Sequence, residues 1–237
     1  MRARLLSGAL FILIGSLTLF LATCDKTVNS GFEDSIELYS YLEPIEGASN
    51  ATMVVNKGKD GNDSYFQVEI SGIATNHLLK SGSHGAWCLE WKKPMRSNND
   101  EDKGVKWYSA IGNEKWKPMN YFFSIKGELE AADPDLTFRE VQAVVWSLAG
   151  YMGIAPEFDV DKLPDSELPG RLMLDGKPNF SKEKVQAIVS RVKSEYASPA
   201  KSKATEEEGC NVGETEEDQQ NVCVPTETEI LIETIST

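Results

Sequence analysis

The chain has 237 residues, room for one large or two small domains, and 41% hydrophobic with 9% aromatic residues from which to build a core. Its formal charge of −13 argues against nucleic acid and anionic membrane surfaces as partners. The charge is concentrated at one end: residues 200–237 hold ten Asp and Glu against two Lys, and the rest is mildly acidic.

Residues 1–24 read as an export signal. Arg2 and Arg4 form a basic start, Leu5 to Leu21 is an uncharged apolar run, and Ala22-Thr23-Cys24 supplies small residues at its end. The ending resembles a bacterial lipobox, in which Cys24 would be lipidated and the lipid would anchor the protein to a membrane. A plain secretory signal and an uncleaved anchor helix are the alternatives. All three place the remainder outside the cytoplasm: at the cell surface, as an outer-membrane lipoprotein, or secreted.

The next elements are strand-like. Ile36 to Tyr41 alternates and is broken by Pro44 and Gly47. Ala51–Asn56 and Ser64–Ile70 flank the turn-rich stretch Lys57–Asp63 and predict a hairpin. Gly82, His84 and Gly85 lead into Trp87-Cys88-Leu89, a strand end or loop at the rim of a sheet. Ser97 to Gly104 reads as a polar loop, and Val105–Ile111 as a strand or an aromatic-packed loop.

Helical signals follow. Asn120–Leu129 suits a short helix or a strand. Thr137 and Glu140 stand at capping-box spacing, and Phe138, Val141, Val145 and Leu148 then recur at helical intervals until Gly150 and Gly153. Phe158–Lys177 is a loop rich in Pro and Asp. Ser181 opens a second helix with Val185, Ile188, Val189 and Val192 on one face, ending before Pro199. Residues 200–222 read as a charged loop and Thr228–Ile235 as a strand.

Strands, then helices, then a returning strand predict an α+β fold, an antiparallel sheet or barrel with a small helical subdomain inserted. The boundaries are 30–125 for the mainly β part, 126–196 for the mainly helical part, 197–222 for an acidic mobile loop, and 223–237 for a returning C-terminal strand of the same domain.

With Cys24 in the signal, Cys210 and Cys223 bracket an acidic loop that a disulfide would close in an oxidising compartment. Cys88 is then the odd thiol. Gln142 also asks for an explanation, because it lies one helical turn from Phe138 and from Val145 and Trp146. A primary amide left unpaired there would cost about 1–3 kcal/mol.

The pair of stretches Trp87-Cys88-Leu89 and Val141-Gln142-Ala143-Val144-Val145-Trp146 resembles the bacterial thioester domains of surface adhesins, with Val141 and Val144 where that family most often has Thr and Ala. The resemblance implies an intramolecular thioester between the Cys88 sulfur and the Gln142 side-chain carbonyl. A protein or glycan nucleophile on a target surface would open it and become covalently attached, as single-use binding and not enzyme turnover. It implies no cofactor. Trp87, Phe138 and Trp146 would wall the bond from water, and His84, four residues before Cys88, is a candidate for proton transfer. Two readings from other classes stand beside it. One is a non-covalent surface lipoprotein binding carbohydrate or protein through exposed aromatics such as Trp91, Trp107 or Trp116. The other is a Cys-dependent enzyme with His84 beside Cys88.

Two His residues, His77 and His84, are too few for a zinc enzyme or a Ser-His-Asp hydrolase to be favoured. Asn98, Asp100 and Asp102 alternate as in a calcium loop, but Gly104 falls one place late and Ser109 holds the closing Glu position. Asp159, Asp161, Asp165 and Glu167 form no ligand pattern either. Both groups read as solvated acidic loops, and no metal is predicted.

Overall fold

The computed structural model describes residues 41–56, 67–74, 76–95, 99–198, 208–216 and 219–226, which all belong to the unit Phe32–Thr237. The export signal with Cys24, residues 36–40, the turn 57–63 with the start of the strand after it, Asn98, and the strand expected at 228–235 lie outside the described residues.

Antiparallel strands dominate the first half: β1 (Glu43–Pro44), β2 (Ala51–Val55), β3 (Gln67–Ser71), β4 (Gly82–Gly85), β5 (Trp87–Cys88) and β6 (Glu101–Ser109). Three helices follow: α1 (Lys117–Ala132), α2 (Phe138–Tyr151) and α3 (Lys182–Glu195). Between α2 and α3 lies a small hairpin, β7 (Met173–Leu174) with β8 (Lys177–Pro178). The chain then returns to the sheet with β9 (Cys210–Glu214) and β10 (Val222–Pro225). The fold is therefore α+β, as the order of the sequence patterns predicts.

Sheet order is β4-β3-β2-β6-β9-β10-β5, with β1 beside the end of β6. The two ends of this path, β4 and β5, are separated in sequence only by Ala86, so the sheet curls back on itself into a barrel. Val55, Val68, Ile70, Val105, Trp107 and Val212 are among the residues that fill the core. Opposite Trp107 stands Gly213, where a Cβ would come within 2.9 Å of the indole, so this cross-strand position has room only for glycine.

The structure revises several sequence expectations. Cys210–Glu214 is a buried strand paired on both sides, by β6 and β10, and not part of an acidic loop. The acidic composition hides it, because pairing and burial hold it there. Helix α1 starts at Lys117, inside the stretch assigned to the β part, and settles 120–129 as helix. Strand β6 begins at Glu101, within the expected polar loop.

Helix α1 is tied to the sheet by Asn120, whose Nδ2 donates to the Ala110 carbonyl at 2.7 Å and whose Oδ1 accepts the Cys210 N–H at 3.2 Å. Helix α2 starts at the capping box of Thr137 and Glu140. Ser181 caps α3, with Val185, Ile188, Val189 and Val192 turned inward. Among the described residues no helix is long and apolar enough to cross a membrane.

Candidate functional site

Strand β5 positions Cys88 and helix α2 positions Gln142. Cys88 lies opposite Val222 of β10, and the next residue, Leu89, donates its N–H to the Asn221 carbonyl at 3.0 Å. Hydrogen-bonding direction alternates along an antiparallel strand, so the N–H and C=O of Cys88 point away from β10. The Gln142 carboxamide fills that side. Its Oε1 accepts the Cys88 N–H at 3.0 Å and its Nε2 donates to the Cys88 carbonyl at 2.8 Å. A side-chain amide thus takes the place of a neighbouring strand, across 54 positions of sequence. Its carbonyl carbon is held beside the residue that carries the thiol.

Both residues are shut away, Cys88 at 3% and Gln142 at 1% exposure. Cys88 is a free thiol. Burial pushes it up to about 12 from an ordinary 9.0, with the Arg171 guanidinium pulling down and the Glu90 carboxylate pushing up more weakly. Arg171 comes from the turn Gly170–Leu172, and its carbonyl accepts the Nε–H of Arg139, on the first turn of α2, at 3.2 Å. Glu90 is buried and occupied: Oε2 accepts from the Asn221 N–H and side-chain amide at 3.1 and 2.8 Å, and Oε1 pairs with Lys93 at 2.8 Å.

Aromatic rings close the surroundings. Trp146 is buried one turn beyond Gln142, and its ring meets Phe158 with centroids 5.3 Å apart. Phe158 also meets Trp91 at 5.4 Å, and the Trp91 indole donates to the Pro156 carbonyl at 3.1 Å. Gly150 permits this fold-back, since a Cβ there would come within 2.9 Å of the Glu157 backbone. Phe138 lies one turn before Gln142, half-buried under the Arg139 guanidinium at 4.5 Å. Trp87 is buried and, as the neighbour of Cys88 along the strand, faces the other side of the sheet.

Cys210 and Cys223 are joined by a disulfide between β9 and β10. Cys223 is the cross-strand partner of Trp87, not of Cys88. Alternation therefore sends its side chain to the opposite face from the Cys88 thiol.

His84 is not brought to this pair. Its Nε2 bonds the Lys80 carbonyl at 2.8 Å, and it lines a cavity of about 360 Å³ with His77, Leu79 and Thr226. Four residues along extended chain are roughly 13 Å, so nearness in sequence does not become nearness in space. This removes the geometric basis for proton transfer by His84 and for a Cys-His enzyme. The exposed-aromatic alternative loses its residues too: Trp107 and Trp116 are both 1% exposed core residues, and Trp91 is engaged with Pro156 and Phe158. Asp102, from the calcium-like alternation, is buried in β6. No cluster of three His, Cys, Asp or Glu among the described residues could hold a metal ion.

No protein-family model and no curated protein matches the chain. Among solved structures, it is similar to the N-terminal thioester domain of fibronectin-binding protein SfbI from Streptococcus pyogenes, with a TM-score of 0.46 and 12% identity, over 78% of this chain and 96% of that one. At that score the likeness carries none of the argument, which rests on the residues themselves.

Arg171 and Phe158 were missed by sequence reading. Both come from the stretch after α2, which carries no periodicity or motif to mark them.

Proposed function

We propose that the protein is an exported, adhesin-like module that forms a thioester between Cys88 and Gln142 and uses it to attach covalently to a nucleophile on a target surface. The observation that carries this reading is the two-point grip of the Gln142 carboxamide on the backbone of Cys88. In bond formation Sγ attacks the carboxamide carbon, and the electron pair moves onto Oε1, where the Cys88 N–H already donates. The intermediate then collapses: the C–S bond stays, the C–N bond breaks, and the thiol proton leaves with the nitrogen as ammonia. Because burial holds the thiol in its protonated form, proton transfer from Sγ to Nε2 accompanies attack instead of preceding it.

In the reverse sense, a target amine or hydroxyl adds at the same carbon, the C–S bond breaks, and the target remains on the Gln142 acyl group with Cys88 released as a thiol. The reaction happens once, so the module is a reactive binder and not an enzyme. The aromatic cover of Trp146, Phe158 and Trp91 supports this use, since it keeps water from a bond that must last until the target arrives.

Methylamine tests the reading. It should add at Gln142, locate there by peptide mapping, and expose one thiol at Cys88. If methylamine adds nothing, Gln142 is an ordinary amide pairing an open strand side and Cys88 a buried structural thiol.

A further inference from the structure

The sequence predicts Trp146 as a wall, and its indole N–H gives it a second property. The residue is 2% exposed, and among the described residues its Nε1 has no hydrogen-bond partner. A buried donor left unmade costs about 1–3 kcal/mol. Among the described residues Trp107 also has an unpartnered buried Nε1, but its ring packs on Gly213 within the barrel strands. Trp146 lies elsewhere, on the helix that carries Gln142.

Four residues on, Trp146 shares a helix face with Gln142. Helical side chains lean back over the preceding turn, which lays the indole over the turn that begins at Gln142. Its ring meets Phe158, which in turn meets Trp91, three residues after Cys88. In the resting pair Oε1 has one donor among the described residues, the Cys88 N–H. When the carbon becomes tetrahedral, that oxygen gains a full negative charge and moves out of the amide plane. A second donor, idle before reaction, then has an acceptor. Donors aimed at the developing oxyanion and not at the ground-state oxygen are those that accelerate such reactions.

We propose that the Trp146 indole N–H is the second oxyanion donor of the Cys88–Gln142 centre, acting both when the thioester forms and when an amine opens it. This rests on the thioester reading. In opening, the amine nitrogen bonds to the Gln142 acyl carbon while Trp146 and the Cys88 N–H hold the oxyanion. The C–S bond then breaks, and the proton lost by the amine ends on the departing sulfur.

The test is the rate of thiol release from the full-length protein in methylamine, for unaltered protein and for Trp146→Phe. A ring that only shields the bond gives a definite sign on truncation: access improves and opening becomes faster. A lost oxyanion donor gives the other sign, opening slower by about 100-fold. Replacing Trp146 with benzothienylalanine, an isostere with sulfur in place of the indole N–H, keeps the shape and should show the same slowing even if the Phe variant fails to fold. Equal or faster opening in the isostere overturns the role of Trp146 and leaves the thioester standing. Unaltered protein that never releases ammonia or reacts with methylamine overturns both.

Discussion

Oε1 of Glu140 accepts the backbone N–H of Ser181 at 2.8 Å, while Oε2 of the same carboxylate accepts the Thr137 N–H at 3.0 Å. Thr137 is the N-cap of α2 and Ser181 the N-cap of α3. One buried carboxylate therefore closes the starts of two helices, one of which carries Gln142.

Replacing Glu140 with Ala would leave both amide donors without that acceptor. We expect a loss of about 2 kcal/mol in urea denaturation. Methylamine reactivity should slow little at temperatures where the variant stays folded, because neither partner of the reactive pair is touched.

Gln142 can be tested for its structural share separately from its chemistry. Gln142→Met strips the Cys88 N–H and C=O of their partners, at about 1–3 kcal/mol for each group that finds no other. Cys88→Ser leaves both hydrogen bonds possible and removes only the sulfur. Denaturation of the two variants should rank Gln142→Met well below Cys88→Ser. A closed cross-link over 54 positions would add up to about 4 kcal/mol to the unaltered protein over both.

With Cys88 a free thiol, as in the structure, burial raises it from 9.0 to about 12, and opening by methylamine is expected to restore that thiol. The unfolded chain gives up this proton above about pH 9 while the folded chain keeps it. The stability tied to the thiol is thus full below pH 9 and lost as pH climbs toward 12. Relative to Cys88→Ala, the opened protein should lose about 2 kcal/mol between pH 8 and pH 10.5. Tyr108 and Tyr121, beside Glu214 and Glu195, are also raised to about 12 and are present in both proteins, so they cancel in the comparison.

Trp91 latches the cover through Phe158 and Pro156. Trp91→Ala should speed methylamine opening and hydrolysis together, read as thiol release with and without amine. The sign is opposite to that expected for Trp146→Phe, although both remove an aromatic indole from one cluster.

Much of this was legible in the sequence. The capping box at Thr137 and Glu140 and the inward faces of α2 and α3 follow from spacing alone, because local hydrogen bonds and helical periodicity decide them. Cys88 and Gln142 were singled out by a resemblance of two short motifs, and nothing in their spacing required that they meet. Pairing between strands distant in sequence was opaque. Cys210-Asn-Val-Gly-Glu214 reads as loop because its polar composition gives no alternation, yet neighbours on both sides make it a strand. His84 misled for the opposite reason: four residues is one turn in a helix but a long step along a strand.

The intact mass of freshly prepared mature protein, never exposed to amine buffers, tests the central claim most directly. A Cys88–Gln142 thioester makes it lower than the sequence mass, after the disulfide is counted, by one ammonia, and the deficit disappears in Cys88→Ala and Gln142→Ala once the residue changes are allowed for. A mass that matches the sequence with only the disulfide formed would contradict the thioester and leave Gln142 as a structural amide.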